Sequence, residues 1–411
     1  MIKNIFNLVA LLYCTSIFSQ TNTDNLKVFL DCRQCDNTYI KQNLNNVEFV
    51  RDQSFADVHL FFATQRNANG GRLYDVEFIG KNDFSDMNDK ISFSTNTDMT
   101  RDDVRNLILR QLKLGLVRYW MKKGTIDAVT VNVAAPSIEE GSEETDEDPW
   151  NYWVFRLGAN GFFNGQESAK FSNYGVNLSA RRVTEKNKFN LNLRFSENRS
   201  TFNFDDEEII AINDSRSIRV SDVISITDHW STGAFARLGS STFSNRDFYW
   251  TFKPALEYNI FKYQESAKKQ LTLGYRIGIV SNDYIERTLF GKDEETLWEH
   301  NVSLGGRVNQ KWGNLFAQVE FDQFLSDTTL NSLEFSIGAN VRLFKGFSFN
   351  VNGNYEITRN QISLPAGDLS LEELLLQQQQ LQSGYNYFVS LGFSYSFGSI
   401  YNTIVNPRFN F

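Results

Sequence analysis

The sequence predicts a mainly β protein: an antiparallel transmembrane β-barrel of about 12 strands, preceded by a small α+β domain. Three observations carry this expectation. Residues 150–411 alternate apolar and polar side chains at period two, over segments of about ten residues or more, the length a tilted strand needs to cross a bilayer. Strands of soluble sheets are usually about five or six residues long. Aromatic residues gather at segment ends, as at Tyr152, Trp153, Trp230, Trp250, Tyr385 and Tyr387. The connections also alternate between short and long, which a soluble barrel has no reason to do.

Taken in chain order, residues 1–20 (MIKNIFNLVALLYCTSIFSQ) read as a secretory signal peptide, with Lys3 ahead of an apolar stretch and small residues at Ser16 and Ser19. Acylation of Cys14 is the alternative, and the bulky Tyr13 before it argues against that. Residues 21–136 mix strand and helix. LKVFL, VEFVRD, DVHLFFATQ, RLYDVEFIG and KISFST carry the β-branched and aromatic content of strands, with Asn69-Gly70-Gly71 as a hairpin signal. A first helix is expected over DNTYIKQNL. The strongest helix begins after Thr100, with acids in its first turn and Lys122 and Lys123 at its end. Its expected apolar stripe is Val104, Leu107, Ile108, Leu112, Leu114 and Val117.

Cys32 and Cys35 stand three positions apart between the first strand and the first helix. In an exported chain the pair reads as a disulfide. A redox reading is opposed by Asp31 and Asp36, since nearby negative charge raises a thiol pKa. A metal reading would need two further soft ligands, and His59 is the only nearby candidate. Residues 137–149 (SIEEGSEETDEDP) form an acidic run without one Lys or Arg, and read as a solvated linker. Calcium capture is the competing reading, but the spacing is not that of an EF-hand loop.

Residues 150–398 carry the barrel. In FSFNVNGNYEIT, Phe347, Phe349, Val351, Tyr355 and Ile357 share one face, opposite Ser348, Asn350, Asn352, Asn354 and Glu356. Short turns are expected near TEKNK, TDHW, FKYQESAKK, KWG and FKG. Long connections are expected near NGQESAK, NRSTFNFDDEE, RTLFGKDEETL and the stretch from Asn360 to Gly384. With short turns on the periplasmic side, both barrel ends and the N-terminal domain fall there.

The stretch SLGFSYSF (390–397) has Gly392 followed by aromatic Tyr395 and Phe397. It resembles the assembly signal in the last strand of Gram-negative outer-membrane β-barrel proteins, and the terminal Phe411 is similar. The tail 399–411 departs from that pattern, because the signal normally ends the chain. The resemblance implies outer-membrane lipid and the barrel assembly machinery as partners. It carries no activity and no functional residues, since one architecture serves many roles.

Chemistry is sparse in the sequence. The net charge of -8 and the lack of a basic cluster exclude nucleic acid as a partner. No cofactor or metal is expected, and no catalytic residue. A hydrolase reading rests on His229 with Ser231, or on His300 near Glu295, Glu299 and Ser303. His300 and Ser303 would point to opposite sides of a strand. The lumen-facing set is Arg156, Arg181, Arg194, Arg237, Arg276, Arg307, Arg342, Glu257, Glu320, Asp322, Glu334 and Glu356. Two readings stand for it: a charged pore lining that selects solutes, or a paired network filling a narrow barrel. SLEELLLQQQQLQ (370–382) is expected to form a helix in the last long loop, capped by Ser370 with Glu373. The expected function is a narrow pore or anchoring barrel. The alternatives are a periplasmic adaptor for a protein partner and an outer-membrane hydrolase.

Overall fold

The computed structural model describes residues 25–44, 46–124, 148–204, 207–344, 346–367 and 380–398. The signal peptide, nearly all of the acidic linker, most of the 370–382 helix and the C-terminal tail lie outside the described residues.

The N-terminal unit is a five-stranded sheet, β1 (Leu26–Asp31), β2 (Val47–Phe49), β3 (Val58–Arg66), β4 (Arg72–Gly80) and β5 (Asn88–Ser94), in the order β2-β1-β3-β4-β5. The β1 strand runs parallel to β2 and β3, and the other pairs are antiparallel. Two helices accompany it, α1 (Asn37–Asn43) and α2 (Arg101–Lys123). Asp36 caps α1 by accepting from the Tyr39 backbone N–H at 2.9 Å. Thr100 and Asp103 form a reciprocal capping box on α2, and Gly124 ends it in the left-handed region at φ 81°.

Alternation along β1 and β3 gives the sheet two faces. Val28, Leu60, Val76 and Phe78 turn toward α2 and pack with Ile108, Leu112, Leu116 and Tyr119. The expected stripe on α2 is corrected at Leu114, which is exposed. The buried line runs 108, 112, 115/116, 119, the spacing of a 3.6-residue period, and Leu114 falls off it. Gly115 lies on the buried line because a Cβ there would sit 2.0 Å from Phe78 Cζ. Gly115→Ala gains about 1 kcal/mol of helix propensity but forces overpacking of about 1–3 kcal/mol against a ring that cannot yield. Packing wins, so faster amide exchange across α2 is expected in the full chain. Unchanged exchange would mean that the contact is loose.

The second unit is a 12-stranded, wholly antiparallel sheet in unbroken chain order. Its strands are β6 (Trp153–Gly165), β7 (Ala169–Val183), β8 (Asn187–Phe204), β9 (Glu207–Ser225), β10 (Trp230–Ser241), β11 (Arg246–Asn259), β12 (Lys269–Tyr284), β13 (Glu294–Gln310), β14 (Gly313–Phe324), β15 (Asn331–Phe344), β16 (Phe347–Thr358) and β17 (Tyr385–Tyr395). The edge strands β6 and β17 are not paired with each other among the described residues, so the sheet stands open along that seam.

Register fixes the two faces. Tyr258, Leu273, Leu304, Val319, Phe335, Tyr355 and Tyr387 lie in one row on the outer face, whereas Glu320, Glu334 and Glu356 pair directly across β14, β15 and β16 on the other. The large apolar side chains of the outer face are solvent-exposed, Leu273 at 51% and Trp298 at 53%. This is the inside-out arrangement of a membrane-spanning barrel. Aromatic rings mark both borders of the outer face. Trp153 meets Phe189, with centroids 5.5 Å apart, and Trp230 meets Tyr258 at 4.7 Å at the short-turn end. Tyr355 stacks on Tyr385 at 6.3 Å at the other end.

Two expected long connections are corrected. NGQESAK contributes only residues 166–168 between β6 and β7, and most of NRSTFNFDDEE lies within β8 and β9, strands of 18 and 19 residues. Ladder pairing continues through their polar residues, because alternation persists there even after the apolar content falls. The connections 285–293 and 359–384 are long, as expected.

Candidate functional site

The inner face of the barrel sheet and its two ends are where the chain concentrates polar chemistry. Every residue of the expected lumen set stands on the face opposite the exposed apolar row, by the register of its strand. The set is divided by sign. Arg156, Arg181, Arg194 and Arg237 belong to β6–β10. Glu257, Glu320, Asp322, Glu334 and Glu356 belong to β11–β16, together with Arg276, Arg307 and Arg342.

Four of these five carboxylates have local partners. Asn301 Nδ2 donates to Glu320 at 2.7 Å and to Asp322 at 3.0 Å, Ser336 donates to Glu334 at 3.1 Å, and Tyr263 donates to Glu257 at 3.1 Å. Lys253 pairs with Glu299, which faces inward rather than standing on the rim beside His300. Lys253, Glu299 and Arg219 are inner-face charges absent from the expected set. Arg219 had a visible signal, since Ile218 and Val220 flank it in strict alternation.

The end bearing the short turns is covered by the N-terminal unit. The second face of its sheet presents Phe29, Asp31, His59 and Phe61. Arg342, at the base of β15, donates to both Asp31 oxygens at 2.8 and 3.0 Å and lies over the Phe29 ring at 5.1 Å. Arg33 donates to Asn314 at 3.2 Å and Asn340 at 2.6 Å, and Lys268 pairs with Glu77. Between the two units lies a cavity of about 480 Å³ lined by Asp31, Arg33, Thr64, Asn314, Asn340 and Arg342.

His59 is fully buried and its Nε2 lies 3.3 Å from Asp31 Oδ2. Burial would raise the Asp31 carboxyl, but the hydrogen bonds from His59 and Arg342 overcome it and hold the group at about 2. Burial lowers His59 despite that carboxylate, so the ring is neutral near pH 7 and donates from Nε2. Cys32 and Cys35 are joined in a disulfide, with Cα atoms 5.5 Å apart, between β1 and α1. The staple fixes the loop that carries Arg33 to the barrel.

The opposite end is covered by loops. Leu289 N–H donates to Leu364 O, and Ala366 N–H to Arg287 O, each at 2.8 Å. Asn245 Nδ2 donates to Glu286 O at 2.8 Å and Ser363 O at 3.0 Å. Ile362 is buried against Val280 and Phe324, both inner-face residues.

The hydrolase constellations do not assemble. His300 lies on the outer face between the rings of Tyr275 and Phe321, while Ser303 and Glu299 face inward. His229 Nδ1 bonds the Asn259 carbonyl at 2.8 Å, and Ser231 donates instead to Tyr263 at 2.9 Å.

No family model and no curated relative matches the chain. Solved structures similar to it include the NanC porin, at 11% identity over 59% of this chain and 99% of that one, with a TM-score of 0.30. The translocator domain of the autotransporter NalP from Neisseria meningitidis gives 13% identity over 60% and 88%, with a TM-score of 0.30. CdiB from Acinetobacter baumannii gives 9% over 73% and 56%, with a TM-score of 0.27. Scores this low leave the architecture to be read from the chain's own strands.

Proposed function

We propose that the chain is a non-enzymatic outer-membrane β-barrel that acts as a narrow, guarded pore, with the α+β domain docked over its periplasmic mouth. The two-sidedness of the β6–β17 sheet carries this reading. One face is a broad band dominated by exposed Leu, Val, Ile, Phe, Trp and Tyr, a surface that water does not tolerate at this extent. The other face is polar and charged. In hydrocarbon an unpaired edge costs several kcal/mol per exposed backbone group, so closure of β6 onto β17 belongs to the same proposal. The export signal read at residues 1–20 and the resemblance of residues 390–397 agree with the location.

The non-enzymatic part is supported by what engages the three histidines: buried carboxylate contact for His59, a backbone carbonyl for His229, aromatic rings for His300. The guarded character is supported by the cover at both ends. Planar-bilayer recording of the purified full chain tests the reading, and small, discrete conductance steps are expected. Silent bilayers from folded, heat-modifiable protein would remove the pore and leave an anchoring role.

A further inference from the structure

We infer that the inner face of β8–β11 is a binding site for a small soluble di- or multivalent anion, held by Arg194, Arg219 and Arg237 beside Tyr249. The inference deepens the pore reading and relies on it only for the route by which the anion arrives. Arg219 and Arg237 are direct cross-strand partners on the inner face. Arg194, on β8, is set diagonally to Arg219, since their opposite residues are Ser217 and Asn192.

Directly opposed side chains in an antiparallel pair have Cβ atoms about 5 Å apart, and like charges there repel. A carboxylate between them would relieve this, yet among the described residues none of the three guanidinium groups has an ion pair. On the inner face, the described side chains of β6–β10 include Arg156, Arg181 and Lys188 but no acid. Of the acids of the other wall, Glu320, Asp322, Glu334, Glu257 and Glu299 are engaged by Asn301, Ser336, Tyr263 and Lys253, and Glu356 stands on β16, which is not a neighbour of β8–β11 in the sheet.

Tyr249 completes the cluster. Its ring is buried and lies under Arg237 at 5.1 Å and under Arg246 at 5.4 Å. Arg246 Nε is itself buried without a hydrogen-bond partner among the described residues. One further guanidinium, Arg246, therefore stands behind the first three, while Arg194, Arg219 and Arg237 remain exposed to the interior space. Planar guanidinium forks match the paired oxygens of phosphate, sulfate and carboxylate. An anion seated between Arg219 and Arg237 replaces repulsion with charge-assisted hydrogen bonds.

The test is calorimetric titration of the full chain, in zwitterionic detergent at low salt, with inorganic phosphate. Saturable binding is expected, weakened at least tenfold in the Arg219→Gln/Arg237→Gln variant and unchanged in Arg199→Gln, whose side chain is on the outer face. Heat-modifiability confirms that each variant is folded, and Arg237→Gln alone replaces the double variant if that one is not. No binding by the parent chain, or equal binding by the variants, would overturn the inference. So would binding of short-chain phosphatidylglycerol without binding of free phosphate. Conducting channels that bind no phosphate would remove the site and leave the pore. Silent bilayers with phosphate binding intact would do the reverse.

Discussion

Leu304→Arg is expected to keep the chain from assembling in the membrane, while Ser303→Arg, one residue away, is tolerated. Leu304 sits in the middle of β13 on the outer face, paired with Leu273 and Val319, and is about half exposed. A cation at that depth in a barrel costs about 2–4 kcal/mol, before any kinetic penalty on insertion. Ser303 faces the polar interior, between Gly274, which has no side chain, and Glu320, whose carboxylate gives an added cation a partner. Two neighbours at one depth thus give opposite outcomes only if the apolar row meets lipid. Heat-modifiability of membrane fractions reads the result. If the row were a protein interface or a soluble surface, Leu304→Arg would assemble normally or improve solubility. That outcome would end the barrel reading and with it the pore.

The alternation that makes this prediction possible is also what made the architecture legible in the sequence. A period of two fixes the face of each residue once strand limits are roughly known, and a small error at a strand end does not change it. That is why Arg156 through Glu356 could be assigned to one face without a structure. Loop lengths were less legible, because Asn198, Ser200 and Asn203 are polar enough to read as loop while pairing as strand. Side-chain partners were not legible at all. Whether Glu299 meets Lys253 or stands beside His300 depends on which strands are neighbours and on a face choice one residue wide. The contact between the two units was beyond reach for the same reason. Asp31 and Arg342 are 311 residues apart, and nothing in either local sequence marks the other.

That contact makes the remaining prediction. Arg342→Ala is expected to loosen the α+β domain from the barrel base and to raise single-channel conductance. The pair is largely shielded, with the Asp31 side chain 11% and the Arg342 side chain 31% exposed, so removing one partner strands a charge and costs roughly 2–5 kcal/mol of docking. Asp31→Asn/Arg342→Gln is expected to lose less than the single Arg342 variant, because no unpaired charge remains. Acid should act in the same direction. Asp31 titrates at about 2 in the assembled chain against an ordinary 3.8, so its contribution is complete above about pH 4 and fades as pH falls toward 2. His59 is also lowered from its ordinary 6.5, so its contribution is complete above that value and declines as pH drops below it. Conductance should therefore rise as the bath on the domain side is taken down from pH 7, first through His59 and then, below about pH 4, through Asp31. A flat profile, together with Arg342→Ala channels no larger than those of the parent chain, would show that the domain rests at the mouth without closing it.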